Sequence, residues 1–449
     1  MKKLLSLFFA LATCLLMNAA HFIIDGIGHN VANNGYALAV AYYDGYHKMD
    51  TIVIPEQAMV DGEYYPVVKV DAQAFKRCDE VRCILLPRTI TELSWDAFSG
   101  CSGLTSISFD GVTTIGNNAF EGCSGLTEVT IPSSVQSMGS NVFLNCTSLE
   151  KLTYEPTNIS SLSKTWLSGV SLKEMVIDEN VKVLPQNLAY RQTSLKTVNI
   201  PESVTHINSA FIESGLTSIE IPKLVRSVYS AFESCHQLKS VKFNGDIGAI
   251  GYGAFCDCPS LTDIEIPGTV TTLAAHAFSG CISLKSLKLP PKLSSIGVRT
   301  LAETGLTSLM IPASIVQIYE RSLGDNPYLT SIYCKRRNPL AINSDVFEGN
   351  YILDHIIDTD TLYVPHGCRD KYIAAEVWKD FGTIVEMPWG DVNWDNRVDV
   401  IDLNMITNAI IDPKSIDTPT DADLNYDGKV DIIDVNILIN LILGLQKTD

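Results

Sequence analysis

A repeat of 21 to 23 residues is the feature that most constrains the fold of this chain. The unit is clearest at residues 261–283, LTDIEIPGTVTTLAAHAFSGCIS. Units in the same register begin at residues 81, 104, 126, 149, 172, 195, 216, 238, 261, 284, 306 and 329. One such unit cannot bury its own apolar face, so it is stable only when it stacks on copies of itself. The repeat therefore predicts a solenoid, whose core grows by one layer per unit.

The apolar positions of the unit predict its local structure. Ile264 and Ile266 alternate as in a short strand, and Pro267 ends that strand because it has no amide proton to donate. Ala277, Phe278 and Cys281 then form one apolar corner before the next strand. The sequence thus predicts a stack of short parallel strands joined by turns.

The cysteines follow the repeat. Seven of them hold the same repeat position: Cys78, Cys101, Cys123, Cys146, Cys235, Cys258 and Cys281. Side chains at one repeat position stack along a solenoid, and a small, soft side chain suits a buried corner. We therefore expect buried free thiols rather than disulfides, although an exported chain could form them.

The first residues predict export. Two lysines, an apolar run from Leu4 to Met17 and the small residues Ala19 and Ala20 are typical of a secretory signal peptide, placed here at residues 1–20. Cys14 offers an alternative lipid-attachment site, although Thr13 before it fits poorly. The run is short for a membrane span, so no transmembrane segment is expected. The formal net charge of −18 argues against nucleic acid as a partner.

The repeat consensus L-[TK]-x-[IVL]-x-[IVL]-P-x-x-[VIL]-x-x-[ILM]-x-x-x-A-F-x-x-C resembles the BspA-like leucine-rich repeats of bacterial surface proteins. The resemblance implies a curved solenoid, a secreted or cell-surface location, and adhesion or ligand binding. It covers residues 52–351, and the segment LYVPHGCRDKYIAAEVWKDFGTIVEM resembles the closing segment of that family. The predicted plan is a signal peptide (1–20), an N-terminal cap (21–51), repeats (52–351), a C-terminal cap (352–388) and a separate module (389–449).

The solenoid surface gives few clues to a ligand. Its outward strand positions are mostly hydroxyl-bearing or charged, which is equally typical of a solvated face. Met310 and Tyr333 are apolar exceptions, and binding hot spots favour such side chains. We predict a protein or glycan ligand on this surface, centred on those two residues if a hot spot exists.

Two acidic loops near the C-terminus carry the strongest chemical signal. DVNWDNRVDVID starts at Asp391 and DLNYDGKVDIID at Asp423, and both place oxygen ligands at loop positions 1, 3, 5, 9 and 12. Ca²⁺ takes six to eight oxygen ligands, which such a loop can supply together with the position 7 carbonyl. The sequence predicts two calcium ions, held by Asp391, Asn393, Asp395, the Arg397 carbonyl, Asp399 and Asp402, and by Asp423, Asn425, Asp427, the Lys429 carbonyl, Asp431 and Asp434.

Each loop leads into a predicted helix, at residues 400–411 and 432–443. This pair of loop-helix motifs resembles a type I dockerin module, an all-α calcium-binding domain. The resemblance implies a cohesin-like partner that reads loop positions 10 and 11. Those positions are apolar here, namely Val400, Ile401, Ile432 and Ile433, which leaves two alternatives: a cohesin with an apolar surface, or no cohesin partner. The alternative is that residues 389–449 pack onto the solenoid end, since the linker is only about four residues long.

Motifs of catalysis are missing from the sequence. The histidines lack a metal-ligand spacing, and neither a glycine-rich phosphate loop nor a nucleophile elbow is present. We therefore predict a non-enzymatic, secreted or surface binding protein. The alternative is a subunit of a cohesin-dockerin type extracellular assembly, with the C-terminal module as its attachment plug.

Overall fold

The computed structural model describes residues 22–32, 37–349, 360–412 and 419–445. The predicted signal peptide and the predicted boundary between residues 351 and 352 lie outside these ranges. The chain divides into two compact units, Met1–Leu224 and Val225–Asp449. The predicted architecture is confirmed, because the repeats form a β-solenoid of parallel strands and the C-terminal helices form a small separate module.

The first unit contains short strands in every coil. In chain order they are β1 (Phe22–Ile24), β2 (Ile27–Ala32), β3 (Ala37–Val40), β4 (Thr51–Val53), β5 (Gln57–Val60), β6 (Glu63–Val70), β7 (Cys83–Leu85), β8 (Glu92–Leu93), β9 (Ser106–Ser108), β10 (Thr114–Ile115), β11 (Glu128–Ile131), β12 (Ser137–Met138), β13 (Lys151–Tyr154), β14 (Glu174–Ile177), β15 (Val183–Leu184), β16 (His206–Asn208) and β17 (Ser218–Ile221).

Strands of successive coils pair in parallel, one repeat apart. Lys151 of β13 lies beside Glu174 of β14, for example. Two strands per coil build separate ladders, one running β6-β8-β10-β12 and the other formed by β4-β7-β9 and β11-β13-β14. Because the backbone groups of one coil are satisfied by the next, each coil depends on its neighbours.

The N-terminal cap closes the start of the repeat array. Strands β1, β2 and β3 pair antiparallel, and β3 then pairs parallel with β6. A short 3-10 turn at Asp44–Lys48 places Tyr46, which is fully buried, on the ring of Phe75 at 4.6 Å. Strands β5 and β6 form a β-hairpin and join at Asp61 and Gly62, both with positive φ.

Stacked phenylalanines run through the core of the first unit. Phe75, Phe98, Phe120 and Phe143 are fully buried, and their ring centroids are 5.2 Å apart with nearly parallel planes. Trp166, in the irregular repeat that lacks Ala-Phe, packs edge-to-face against Phe143, with centroids 6.3 Å apart. The exposed fraction of Trp166 is 1 %, so the core accommodates the larger ring in full.

The second unit, taken by itself, consists of coils of the same kind and the C-terminal module. Its strands are β18 (Ser227–Tyr229), β19 (Ser240–Phe243), β20 (Ala249–Ile250), β21 (Asp263–Ile264), β22 (Thr272–Leu273), β23 (Ser295–Ile296), β24 (Ser308–Ile311), β25 (Gln317–Ile318), β26 (Ser331–Cys334), β27 (Thr361–Val364) and β28 (Thr383–Glu386). Its helices are α1 (Arg369–Ile373), α2 (Val400–Ile411), α3 (Pro419–Ala422) and α4 (Ile432–Ile442), with 3-10 turns at Ser344–Phe347 and Trp378–Asp380. The last sheet of the solenoid runs β24-β26-β27-β28.

The cysteines at the repeat corner are free and buried, as expected. Each corner thiol that follows another by one coil donates to a backbone carbonyl of the preceding corner, as Cys123 does to Phe98 at 3.1 Å and Cys281 to Phe255 at 3.2 Å. Burial raises the pKa of the Cys146 thiol to about 12, which keeps it protonated. The ladder is thus a packing feature of the coil.

Across the part of the chain that the structure describes, every helix is too short or too polar to cross a membrane.

Candidate calcium centre and partner surfaces

The C-terminal module has its own small core. Val392, Ile406, Ala422, Leu424 and Leu438 are buried together, so both loops and both long helices contribute to it. The predicted first helix agrees with α2 at both ends, and the second ends one residue early, at Ile442. Since each loop runs directly into its helix, the core fixes where the loop side chains point.

In the first loop, the carboxylate of Asp402 ties the two ends of the loop together. It accepts hydrogen bonds from the backbone amides of Val392 at 2.8 Å and Asn393 at 3.1 Å. Its second oxygen accepts from the amide of Asp399 at 2.9 Å, while the Asp399 side chain accepts from Ile401 at 2.8 Å. The last two bonds form a capping box, which begins α2.

Asp391 organises the turn inside the same loop. Its two oxygens accept from the amides of Asp395 at 3.1 Å and Asn396 at 2.8 Å. Trp394 and Asn396 adopt the left-handed conformation, with φ of 65° and 68°. The backbone therefore curls around the side chains of positions 1, 3 and 5, which is how a calcium loop gathers its ligands.

The second loop repeats this geometry. Asp434 accepts from the amides of Leu424 at 2.8 Å and Asn425 at 3.3 Å, and it caps α4 by accepting from Asp431 at 2.9 Å. Asp423 accepts from Asp427 at 3.1 Å and from Gly428 at 2.8 Å. Gly428, with φ of 87°, holds the position that Asn396 occupies in the first loop.

The donor set fits calcium by its chemistry. It consists of carboxylate and amide oxygens and backbone carbonyls, without nitrogen or sulfur ligands. Burial raises the pKa of the Asp391 carboxyl to about 6, and the nearby Asp402 adds to this effect. Within the described ranges, no three histidine, cysteine, aspartate or glutamate side chains already converge as a metal group. A calcium ion in either loop would therefore also be held by the side-chain oxygen of Asn393 or Asn425 and by a backbone carbonyl.

The four apolar residues at loop positions 10 and 11 are solvent-exposed. Their exposed fractions are 60 % for Val400, 51 % for Ile401, 64 % for Ile432 and 50 % for Ile433. All four lie in the first turn of α2 or α4. The module thus carries two equivalent apolar pairs, one per loop-helix motif, which we call the apolar pairs below.

Another side of the module packs against the end of the solenoid. Lys335, just after β26, forms an ion pair with Asp421 of α3 at 2.8 Å, and both side chains are 10 % exposed. The ammonium group of Lys335 also lies 5.6 Å from the ring centroid of Trp394. The guanidinium of Arg337 lies 3.7 Å from the ring centroid of Tyr426.

The linker is part of this contact. Trp389 stacks on His366, with centroids 6.0 Å apart, and its indole nitrogen donates to the carbonyl of Leu424 at 3.3 Å. His366 follows β27 of the solenoid, whereas Leu424 belongs to the second loop. The packed arrangement that the sequence offered as an alternative is therefore present.

Met310 and Tyr333 are neighbours on the outer face of the last solenoid sheet. They are paired across β24 and β26, and Tyr333 is in turn paired with Tyr363 of β27. The two tyrosine rings stack at 4.4 Å. All three side chains are half-buried, so they form a short apolar strip with limited accessible area.

Exposed aromatic side chains at the coil corners are further candidate site residues, which were not among those predicted from the sequence. Trp95 is 50 % exposed and borders an open groove of about 520 Å³ in the first unit, whose polar lining includes Asn30, Lys69, Asp71 and Glu92. In the second unit, Tyr229 and Tyr252 stack at 5.9 Å and are about half exposed. The signal was available, because each of these aromatics stands three residues before the corner phenylalanine.

Family comparisons match both parts of the chain. The family model for the BspA type leucine rich repeat region matches residues 68–193, 160–273 and 248–366. The model for the dockerin type I domain matches residues 389–443. A search of curated proteins found no significant match. Leucine-rich repeats of this type and dockerins are non-catalytic binding modules, typically extracellular or at the cell surface, and type I dockerins bind calcium.

Solved structures of bacterial proteins resemble the solenoid. A leucine-rich repeat protein from Bacteroides ovatus is 21 % identical, with a TM-score of 0.55, and the match covers 82 % of this chain and 100 % of that one. The pneumococcal vaccine antigen PcpA is 20 % identical with a TM-score of 0.44, covering 82 % and 100 % of the two chains. A leucine rich cell surface protein from Faecalibacterium prausnitzii is 22 % identical with a TM-score of 0.38, covering 82 % and 94 %.

Proposed function

The chain belongs to the BspA-type leucine-rich repeat family and carries a dockerin type I domain, and from this premise we propose that it is a non-enzymatic extracellular binding protein. Its solenoid presents a ligand surface, and its C-terminal module attaches it to a cohesin-type partner. The observation that supports the attachment role is that both loop-helix motifs expose an apolar pair at equivalent positions.

We propose that two calcium ions hold the module in shape. The two loops have the same hydrogen-bond pattern, in which the position 12 carboxylate joins the loop ends and the position 1 carboxylate supports the turn. Several carboxylates in one tight loop repel each other unless a cation is present. The ligands are those that the sequence predicts, at positions 1, 3, 5, 7, 9 and 12 of each loop.

The apolar pairs fit a partner with an apolar surface. Val400, Ile401, Ile432 and Ile433 are at least half exposed at the start of two helices. Solvent-exposed aliphatic side chains grouped in this way are a feature of interaction sites. Because the helix starts are set by the calcium loops, binding through these residues should depend on calcium.

The solenoid ligand is an extracellular protein or a glycan. Two places offer accessible aromatic side chains, the groove beside Trp95 and the Tyr229–Tyr252 stack, and the strip formed by Met310 and Tyr333 adds a third. Tyrosine and tryptophan are the residues that most often dominate binding energy. The test measures binding of the purified protein to a panel of matrix proteins, mucins and glycans. Saturable binding to one member, weakened by Trp95→Ala or Tyr252→Ala, would support this role. The absence of saturable binding would contradict it.

The attachment role is tested by capture from an extract of the native cell envelope and medium. The full chain is immobilised and washed in calcium or in chelator, and the retained proteins are identified by mass spectrometry. We expect a cohesin-containing protein that is retained in calcium and released by the chelator. The double change Ile401→Ser and Ile433→Ser should abolish retention.

A matched control is available on α2. Ile411 is an exposed isoleucine at the other end of that helix, 76 % exposed, so Ile411→Ser makes the same chemical change away from the apolar pairs. It should leave retention unchanged. Retention that survives both the chelator and the Ile401/Ile433 change would contradict the attachment role.

A further inference from the structure

The contact between the C-terminal module and the solenoid end uses the same position of both calcium loops. Trp394 and Tyr426 are the fourth residues of the first and second loop. Each ring receives a cation from the solenoid segment after β26, Lys335 for Trp394 and Arg337 for Tyr426. The fourth position carries no predicted calcium ligand, so its side chain is free to face the solenoid.

We infer that calcium binding and docking of the module onto the solenoid end are linked, each strengthening the other through the fourth residue of each loop. The inference rests on the proposed calcium sites but does not depend on a cohesin-type partner. The interaction surface is the basic segment containing Lys335 and Arg337, and its partner is the chain's own C-terminal module.

The backbone of the loops provides the link. Trp394 and Tyr426 are both in the left-handed conformation, with φ of 65° and 61°. This conformation is costly for bulky residues and persists only when the surroundings impose it. In the first loop, the adjacent amides of Asp395 and Asn396 donate to the Asp391 carboxylate and so hold this conformation. In the second loop, the amides that donate to Asp423 do the same. A loop that opens for lack of calcium would therefore also move its aromatic ring out of the contact.

The Lys335–Asp421 ion pair is a further contact, which anchors the entry to the second loop. Asp421 lies two residues before the first ligand position of that loop, and only a tenth of each paired side chain is exposed. An ion pair desolvated to this degree is costly to separate, because each charge would remain partly buried without its partner. Docking thus holds the entry to the second loop in place.

Two effects of opposite sign act on the calcium affinity. Docking pre-organises the loops and should strengthen binding, whereas the positive charge of Arg337 should repel the ion. A unit charge about 10 Å from a divalent ion weakens its binding by no more than roughly fourfold in water, and salt reduces this further. Coupling between two sites in one protein commonly amounts to about fivefold or more. We therefore expect the gain in calcium affinity from pre-organisation to exceed the loss from charge repulsion.

The experiment measures calcium affinity of the full chain by competition with a chromophoric chelator. The variants are Arg337→Gln, Arg337→Lys, and the double change Lys335→Met with Arg337→Gln. Both changed positions, Lys335 and Arg337, lie on the solenoid, outside the calcium loops. We expect Arg337→Gln and Arg337→Lys to weaken binding about two- to fivefold, since lysine keeps the charge but loses the planar stacking group. The double change should weaken it about tenfold.

Docking itself is read on the solenoid side by hydrogen exchange. In the parent protein, calcium should slow amide exchange in residues 335–337 and 365–368, which contain no calcium ligand. The double change should remove this effect of calcium. The matched control is Lys379→Met, which removes one exposed positive charge of the same unit, paired with Glu376 away from the module, and it should behave like the parent.

The outcomes separate the two proposals. If the parent binds calcium and the variants bind it equally or more tightly, or if calcium leaves exchange at residues 335–337 and 365–368 unchanged, the linkage is wrong while the calcium sites stand. If the parent shows no calcium binding, the proposed sites and the linkage are both wrong.

Discussion

At the scale of single residues, His29 is a histidine buried without hydrogen bonds to its ring among the described residues. It is fully buried in β2, and neither ring nitrogen has a hydrogen-bond partner among the described residues. Burial lowers its pKa from 6.5 to about 4, with Asp25 acting weakly in the opposite direction. The unfolded chain therefore binds more protons than the folded one between these values.

This depressed pKa predicts acid sensitivity of the N-terminal end. The stabilisation from neutral His29 is fully present above about pH 6.5 and is lost as the pH falls toward 4, by up to about 3 kcal/mol. Thermal unfolding at pH 7 and pH 4.5 should therefore differ less in His29→Leu than in the parent protein. The exposed His206 is the control, and His206→Leu should keep the parent's pH dependence. An unchanged pH dependence in His29→Leu would contradict the assignment.

The thiols give a second prediction at this scale. The corner cysteines are buried, whereas Cys83 and Cys256 are partly exposed, and burial raises the pKa of Cys256 to about 12. Among the cysteines that the structure describes, only these two should react with a thiol reagent such as Ellman's in the native protein, and Cys256 should react slowly. In denaturant without reductant, every cysteine of the purified chain should react. A shortfall in denaturant would reveal disulfides and contradict the free-thiol ladder.

At the scale of elements, the start of α2 depends on one side chain with two tasks. Asp402 accepts from the amides of Val392 and Asn393 and also closes the capping box with Asp399. Asp402→Ala should weaken the first turn of α2 by about 1 to 2 kcal/mol or more. Hydrogen exchange of that turn and of the Val392 and Asn393 amides measures the effect. The control is Asn404→Ala, at an exposed position of the same helix, which should leave amide exchange close to that of the parent protein. Equal exchange in the Asp402 and Asn404 variants would contradict the dual role of Asp402.

Elements were the part of the structure that the sequence predicted best. The helix over residues 400–411 follows from an acidic loop before it and a proline after it, both of which act locally. The parallel ladders follow from the repeat period, because residues one unit apart must stack. The free cysteine ladder follows from the same argument.

Contacts between distant, non-repeated residues were not predictable. Lys335 and Asp421 are 86 positions apart, and no periodicity connects them. The groove beside Trp95 likewise depends on side chains of three successive coils and of β2 in the cap. Such sites arise from how coils and modules meet, which local patterns do not encode.

At the scale of the whole molecule, the chain combines a long repeat surface with a small dockerin type I module. The repeats make one coil after another from nearly the same residues, so most fixed positions explain stacking and few could select a ligand. The module adds two oxygen-rich loops and two exposed apolar pairs. The module also contacts the solenoid end. A partner bound to the apolar pairs would therefore be connected to the solenoid through this packed contact.

Calcium stoichiometry tests the central claim most directly, since both the attachment role and the linked docking depend on it. Calorimetric titration of the chelator-treated full chain should give two ions bound per chain. Asp391→Ala should leave one ion and Asp423→Ala one ion, and the double change should leave none. Absence of saturable calcium binding by the parent, or two ions still bound by the double variant, would contradict the account.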